Sequence, residues 1–386
     1  MTLHRKILFF AASLLLATPA LAVDDVDKAA IEDLRVLVAA ECKANPQCPL
    51  DDLFSRLQEP IVANMTAFET VMKDGNSSTM SLPDTRPDGV TADEWQALQI
   101  SGIKDVHSDI YDTKSYTLVD LDGDGQRDLV INDDITGESS NEISTWAFHR
   151  QGDKFDGLAS FREDNYDGGF LYLNTEYDGS TAAHWIRLRG RIYAVWRFTH
   201  YGYDDLYLLR PFVTNHEVPI LTVRYHYRLA VSVEEASQWQ VWFDLLSKDT
   251  ALNGDKLSKA LTKALQSMSD KTPNLATPKT PLCPIPASVK GDDRKQYYAY
   301  RADSPDSDDS SEESDNAVGD MPIQAGGKCY IARLFSTGVY DADGVVAGVR
   351  MQATGGEYGW DFKVSGTRKM ISVEISTRKC DKDGCY

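Results

Sequence analysis

Four closely spaced aspartates give residues 118–133, LVDLDGDGQRDLVIND, the most specific chemical pattern in the chain. Carboxylates stand at positions 1, 3, 5 and 9 of a loop, and position 7 offers a backbone carbonyl. The candidate ligands are Asp120, Asp122, Asp124, Asp128 and Gln126. Ca²⁺ takes about six to eight oxygen ligands, and alternate residues of a tight loop can direct their oxygens to one centre. Gly123 and Gly125 suit such a loop because glycine tolerates positive φ. The pattern therefore predicts a structural Ca²⁺ site.

The run D-L-D-G-D-G-x-x-D-L resembles the aspartate-rich loops of FG-GAP/VCBS-type repeats and, more loosely, dockerin loops, in which the ion lies beside a β-strand. The resemblance covers roughly 16 residues. Position 12 is Ile131 rather than the Glu of an EF-hand, and residues 129–131 indicate a strand. Only one full copy is present, so we do not expect the propeller that arrays of these repeats form. The DxDG run at 341–344 and the DKDG run at 381–384 are typical of hairpin turns. The alternative for the main loop is an Asp/Gly-rich turn without metal.

The first 22 residues predict export. Arg5 and Lys6 precede an apolar run at 7–16, and Ala20-Leu21-Ala22 follows. This is the pattern of a cleavable signal peptide cut after Ala22, with an apolar part too short for a permanent span. No later apolar run approaches the length of a membrane span. We therefore expect a periplasmic or secreted protein with no integral membrane span in the mature chain.

The charge of the chain restricts its partners. The full sequence carries −19, and removal of the signal peptide leaves 38 basic and 59 acidic residues, or −21. Such a charge disfavours nucleic acid and anionic membrane surfaces. A basic protein or a cell-envelope glycan is the partner we expect, and a solvated acidic surface is the alternative.

The six cysteines all lie in the mature part and are even in number, which suits disulfides in an oxidising compartment. Proximity in the chain predicts three bridges: Cys42–Cys48, Cys283–Cys329 and Cys380–Cys385. None of the spacings matches a zinc site.

Residues 23–104 form a predicted helical N-terminal segment. Ile31, Leu34 and Val38 share one helical face, and the helical spacing continues past Pro60 from Ile61 to Met72. A polar loop precedes a short helix that opens with the capping box of Thr91 and Glu94.

Residues 105–270 form a predicted β-rich domain that contains the calcium-like loop and ends in helices. Apolar and aromatic residues alternate in short runs with Asp/Gly/Asn turns between them. The predicted strands are 142–149, 170–173, 185–188, 192–198, 206–209 and 220–233. A second capping box, Ser232 with Glu235, opens a helix whose apolar face includes residues 239–246, and a further helix covers 257–268.

The prolines of 271–286 predict a stiff linker, after which residues 287–386 form a small β domain. Its predicted strands are 296–301, 328–335, 345–353, 359–364 and 370–377. Residues 303–315 carry seven acids and no base, so we expect a disordered acidic loop there. The predicted fold class is α+β: N-terminal helices packed on a mainly antiparallel β-sheet domain with trailing helices, plus a small C-terminal β unit.

The sequence contains none of the nucleophile-elbow, P-loop, dinucleotide-binding or HExxH motifs, so we expect no catalytic residues and no turnover. The best other constellation is 200–205, HYGYDD, either a recognition loop, an acid/base pair or a plain hairpin turn. The leading hypothesis is an exported, calcium-stabilised protein that binds protein or glycan, for example an inhibitor or immunity protein against a basic cell-wall-active enzyme. The alternatives are a calcium-dependent extracytoplasmic hydrolase with unrecognised carboxylates and an envelope scaffold component.

Overall fold

The structure, a computed structural model, describes residues 24–61, 66–67, 69–72, 77–100, 106–109, 112–136, 141–155, 170–175, 181–213, 216–238, 253–271, 278–300, 317–341, 344–353, 359–381 and 384–385. The predicted signal peptide, the helical face at 239–246 and the acidic segment 303–315 lie outside these ranges. The fold is α+β, as the sequence predicts, with N-terminal helices on a large antiparallel sheet. No helix in the described part has the length and apolar character needed to cross a bilayer.

Two helices begin the described chain, α1 (Asp25–Ala44) and α2 (Leu50–Leu57). The Cys42–Cys48 disulfide closes the turn between them, which confirms this predicted bridge. The predicted apolar stripe is buried against the main sheet: Ile31, Leu34 and Val38. These helices are therefore anchored both by core packing and by a covalent link.

The prediction that helical structure continues to Met72 is wrong. Three short strands follow α2 instead: β1 (Thr66–Ala67), β2 (Glu69–Met72) and β3 (Ser77–Ser81). β2 pairs with β3 along four consecutive residues. Thr70 and Val71 are β-branched, and backbone pairing with neighbouring strands prevails over a helical spacing of apolar residues.

The capping box predicted before α3 (Ala92–Ile100) is confirmed. The N–H of Thr91 donates to Glu94 Oε2 (2.7 Å), and the N–H of Glu94 donates to Thr91 Oγ1 (3.3 Å). Each side chain thus satisfies a backbone donor that the first helical turn leaves open.

Besides the main sheet, the described residues form three smaller sheets, to which β1, β2 and β3 belong. Their remaining strands are β4 (Val106–Asp109), β5 (Asp112–Val119), β6 (Asp128–Thr136), β7 (Asn141–Phe148), β8 (Arg150–Gln151), β9 (Lys154–Phe155) and β10 (Phe170–Thr175). The five-stranded sheet has the order β1-β5-β6-β7-β10, β2-β3-β4 form a second sheet, and β8 and β9 form a hairpin. The core under α3 consists of apolar and aromatic residues from this helix and from β5–β7. The five-stranded sheet positions the aspartate-rich turn, which joins β5 to β6.

The main sheet has nine strands in the order β11-β12-β13-β14-β18-β17-β16-β15, with β19 paired to the end of β18. The strands are β11 (Thr181–Leu188), β12 (Arg191–His200), β13 (Tyr203–Leu209), β14 (His216–Ala230), β15 (Ala317–Ala325), β16 (Lys328–Asp341), β17 (Gly344–Ala353), β18 (Gly359–Asp381) and β19 (Gly384–Cys385). All of its pairs are antiparallel. One continuous core lies between this sheet, α1, α2 and the trailing helix α5 (Gly254–Leu265), and α4 is the helical stretch at 233–238 that precedes α5.

The C-terminal strands are hydrogen-bonded to the central ones. β18 runs over 23 residues, where the sequence predicted two separate strands. Its first part pairs with β17 and the remainder with β14. The C-terminal β unit is therefore continuous with the main sheet. The hairpins predicted from the DxDG and DKDG runs are confirmed by the pairs Asp341↔Gly344 and Asp381↔Gly384.

The predicted strand at 296–301 is wrong, because Gly291–Tyr297 is a 3₁₀-helix. Asp292 and Asp293 occupy its first turn, where the helix dipole favours acidic side chains. The Cys283–Cys329 disulfide, which the sequence predicts, joins this region to β16. Cys380 and Cys385 face each other across the β18–β19 ladder, and their side chains lie outside the described residues.

In the described part of the chain, two α-helical stretches follow β14. Residues 233–238 are helical, and the N–H of Glu235 donates to Ser232 Oγ (3.0 Å), as the second capping box predicts. α5 buries Leu257, Leu261 and Leu265, which confirms the trailing helix.

Candidate metal centre

The candidate metal centre is the turn of residues 120–127 together with Asp128, the first residue of β6. β5 and β6 pair in register up to Val119↔Asp128, so the ladder fixes both ends of the turn. Gly123 (φ 83°) and Gly125 (φ 87°) both adopt positive φ, as the sequence predicts. Non-glycine residues adopt this conformation at a cost, so the two glycines allow the chain to curl between its aspartates.

The turn is held by bonds from its own backbone to its carboxylates. Asp120 accepts from the N–H of Gly123 (2.8 Å) and of Gly125 (3.0 Å). Asp122 accepts from the N–H of Asp124 (3.1 Å). The carboxylates are therefore fixed on the inner side of the turn before any ligand is considered.

Gln126 lies in the same turn and bonds to Asp124 twice. Its backbone N–H donates to Asp124 Oδ1 (2.7 Å), and its side-chain amide donates to Oδ2 (3.1 Å). These bonds orient the Asp124 carboxylate. They also use the Gln126 side chain, which leaves its backbone carbonyl as the predicted ligand atom.

Asp128 is fully buried and anchors the turn to the next hairpin. Its carboxylate accepts from the N–H of Leu121 (3.0 Å) inside the turn and from the N–H of Arg150 (2.9 Å) in β8. Burial and, to a smaller extent, the nearby Asp122 carboxylate raise the pKa of this carboxyl, while the two backbone donors lower it. The net pKa is about 6. A buried carboxyl with a raised pKa indicates a site where a positive charge would be strongly favourable.

The structure brings the predicted carboxylates together. One oxygen each of Asp120, Asp122 and Asp128 lie within 4.8 Å of one another. Asp124 shares a second group of the same size with Asp122 and His149. The two groups overlap at Asp122. The turn can therefore present carboxylate oxygens to a hard cation, with an imidazole at its border.

Sequence reasoning missed His149. Its Nε2 lies 3.2 Å from Asp122 Oδ2 and 4.0 Å from Asp124 Oδ2, and its ring stacks on Phe212 with centroids 4.8 Å apart. The pairing of β6 with β7 could have indicated this histidine, because the two strands form an antiparallel hairpin with Leu129 opposite Phe148. The residue after Phe148 must then lie beside the start of β6, where the last ligand stands.

Arg127, inside the turn, is clamped to α3. It donates from Nε to Glu94 Oε1 (2.7 Å) and from Nη2 to Gly89 O (2.7 Å). Burial raises the pKa of Glu94, but the bonds from Arg127 and Thr91 outweigh it and hold the value at about 2. The capping residue of α3 thus also positions the metal turn.

The 200–205 constellation is a hairpin turn, with Tyr201 and Gly202 between the paired His200 and Tyr203. Its carboxylates face inward rather than toward solvent, since Asp204 is 0% and Asp205 is 5% exposed. Asp204 accepts from Tyr225 Oη (2.8 Å), and Asp205 accepts from Thr222 Oγ1 (2.6 Å). Both carboxylates are therefore buried acceptors that join β13 to β14 within the main sheet.

Comparisons of the chain with protein-family models, with curated proteins and with solved structures find no match. The assignment of the centre therefore rests on the geometry of its own residues.

Proposed function

We propose that this protein is an exported binding protein in which a bound Ca²⁺ ion braces the five-stranded sheet. In this proposal it acts through contacts with protein or glycan and without turnover, as an inhibitor of a basic cell-wall-active enzyme would. The observation that carries the cation is the convergence of Asp120, Asp122 and Asp128 within 4.8 Å.

Repulsion between these carboxylates favours a divalent ion. Like charges about 4 Å apart repel by roughly 4 kcal/mol at the dielectric of a protein surface, and a cation converts this repulsion into attraction. The donors are carboxylate oxygens, to which the predicted backbone carbonyl of Gln126 would add, and this is the ligand set that Ca²⁺ prefers. His149 belongs to the overlapping group, so a transition metal is the competitor that an experiment must separate from Ca²⁺.

The position of the turn supports a bracing role. Asp128 joins the turn to β8, and Arg127 joins it to Glu94 of α3. Two cavities among the described residues, of about 640 Å³ and 320 Å³, are lined by none of the four aspartates, although Val119 and Arg127 beside them line the smaller one. A cation held here would tie three elements together. Two disulfides among the described residues suit an oxidising compartment, in agreement with export.

A melting experiment tests the cation. The mature protein is scanned in Ca²⁺, Mg²⁺, Mn²⁺ and excess EGTA, alongside Asp122→Asn and, as a matched control, Asp153→Asn in the exposed β8–β9 turn. At a concentration of Ca²⁺ about 100 times Kd, binding adds about 2.7 kcal/mol to the free energy of unfolding. We expect Ca²⁺ to raise the Tm of wild type and control but not of Asp122→Asn. Equal midpoints for wild type in Ca²⁺ and EGTA would disprove the cation, and a preference for Mn²⁺ would assign a mixed nitrogen and oxygen site.

The binding role needs its own experiment. Calorimetric titration of the mature protein with a lysozyme, as a basic cell-wall-active probe, should give saturable binding that weakens with salt, because the mature chain carries −21. Hydrolysis of peptidoglycan or another glycan by the protein alone would instead support the hydrolase.

A further inference from the structure

A basic groove lies at the edge of the main sheet, between the disulfide-closed loop before α2 and strand β18. Its volume is about 640 Å³. It is lined by Pro46, Gln47, His226, Arg228, Thr367, Arg368, Lys369, Met370 and Ile371. Four of these nine side chains are basic or, for His226, can become so, and none is acidic, although the whole chain carries −19. A positive groove on a strongly acidic protein selects an anionic ligand.

Two of the basic groups are available to a ligand. Arg228 and Lys369 are exposed, and neither forms an ion pair with any residue that the structure describes. The other two are engaged, since His226 pairs with Asp270 and the Arg368 guanidinium lies 3.6 Å from Asp204. The charge that faces the groove is therefore that of Arg228 and Lys369.

Arg368 makes the wall of the groove rigid. Its guanidinium donates to the carbonyls of Gln47 (2.8 Å) and Cys48 (2.9 Å) and lies over the Tyr225 ring, 4.3 Å from the centroid. The Cys42–Cys48 bridge also ties the loop to the end of α1, which packs against β18. A preformed wall reduces the conformational entropy that a ligand must remove on binding.

The backbone of β18 is open along this groove. β14 pairs with one edge from Ser365 to Cys380, and no described strand pairs with the other edge between Thr367 and Lys379. Tyr225 and Tyr227 direct their N–H groups away from β18, to the carbonyls of Gly202 and Ser269. In an antiparallel ladder the residues opposite them, Met370 and Arg368, then direct their polar groups to the open edge.

The Gln47 side chain already bonds to this edge, since its Oε1 accepts from the N–H of Arg368 (3.3 Å). Three residues further along β18, the register shift between β14 and β18 leaves Ile371 without a cross-strand partner in β14, and its side chain is 58% exposed. Beyond it, Ile375 is 41% exposed. A long uncovered edge with exposed apolar side chains is a surface to which another strand can add.

We propose that the open edge of β18 and the basic groove bind an extended acidic peptide segment of a partner protein by strand addition. The main-chain groups of Met370 bond to the peptide backbone, Arg228 and Lys369 pair with its acidic side chains, and Ile371 contacts apolar side chains between them. This inference goes beyond the proposed function, because it assigns a second binding surface that takes an acidic segment rather than a basic protein, and it uses none of the metal ligands.

Fluorescence anisotropy with a labelled short peptide of alternating Asp and Val tests the site on the full mature chain. Three comparison peptides separate the contributions: Lys in place of Asp, N-methylation of every backbone nitrogen, and Pro in place of Val. The double variant Arg228→Glu/Lys369→Glu removes the groove charge. Lys256→Glu/Lys259→Glu on the exposed face of α5 makes the same change in net charge elsewhere. Circular dichroism melts confirm that both variants are folded.

The Asp/Val peptide should bind saturably, and each comparison peptide should bind at least about 10-fold more weakly. Reversal of the two groove charges should weaken binding by at least about 10-fold, because two attractive charge pairs become repulsive, while the α5 variant changes it less than about 2-fold. Equal binding of the N-methylated peptide, unchanged binding by the groove variant, or no saturable binding would overturn the proposal. All titrations are repeated in EGTA, so that loss of the cation and loss of the peptide site are observed separately.

Discussion

Replacing Glu94 with Gln removes the charge that joins α3 to the metal turn while keeping the shape of the side chain. Glu94 is 5% exposed and accepts from Arg127 Nε (2.7 Å) and from the N–H of Thr91 (2.7 Å). Gln can keep one acceptor but not the ion pair. The variant therefore tests how much the charged form of Glu94 contributes to the stability of this region.

The magnitude follows from the pKa. The folded protein holds the pKa of Glu94 at about 2 against a usual 4.5, because the bonds from Arg127 and Thr91 exceed the cost of burial. The difference between these two pKa values corresponds to about 3 kcal/mol in the free energy of unfolding. Since the folded pKa is depressed, the contribution is fully present above pH 4.5 and is lost as the pH falls toward 2. Glu94→Gln should lose about 2 to 3 kcal/mol at pH 7 and close to nothing near pH 2.

Urea unfolding at several pH values between 7 and 2 measures this difference. Asp93→Asn, at the exposed neighbouring position of the first turn of α3, is the matched control and should change stability by less than about 0.5 kcal/mol. Other groups also titrate in this range, but they cancel in the difference between wild type and variant. A difference between wild type and Glu94→Gln that stays constant with pH would refute the reasoning.

Three further changes probe separate elements. Burial, assisted by the positive charge of Arg197, lowers the pKa of His184 to about 4. Wild type should therefore lose stability as the pH falls from 6.5 to 4, because the unfolded chain binds a proton that the folded protein does not. Melts at pH 7 and pH 5 should show that His184→Phe removes this loss. Gly202→Ala places a Cβ 3.0 Å from the Lys271 carbonyl at φ +94° and should destabilise the hairpin by about 1 to 2 kcal/mol in urea. Opening Cys283–Cys329, separated by 46 residues, should cost up to about 4 kcal/mol, measured as Cys283→Ser/Cys329→Ser against oxidised wild type.

Local signals made several elements predictable. The capping box of Thr91 and Glu94 consists of two residues three positions apart, and its bonds depend on nothing else in the chain. Strands β7 and β10 to β14 were predicted for the same reason, because a half-buried strand shows its period in its own sequence, whereas the short β8 and β9 were not predicted. The continuity of β18 was not predictable in this way. Ser365, Gly366 and Thr367 interrupt its apolar pattern, and pairing with β14 carries the strand across them.

The candidate site likewise contains residues that local sequence reveals and residues that only strand pairing brings in. The spacing of the aspartates placed four carboxylates in one turn, and Asp120, Asp122 and Asp128 do converge. His149 enters from another strand, so only the register of β6 against β7 reveals it. The basic groove could not be predicted from the sequence, because its walls come from three separate segments: residues 46–47, residues 226 and 228, and residues 367–371. No window of sequence contains these three segments, and the net charge of −19 gave no reason to expect an acidic ligand.

The hydrogen bonds of the turn also indicate what a cation would do for this protein. Asp120 and Asp128 each accept two backbone N–H groups, so the chain itself sets the shape of the turn. The cation would then add stability to a turn that is already formed, whereas a zinc finger depends on its metal for folding. Because burial holds the pKa of Asp128 at about 6, a cation must compete with a proton below that pH. Chelation at pH 7 should therefore lower Tm while near-UV circular dichroism keeps its folded signal, and a chelated protein that lost this signal would show that folding needs the metal.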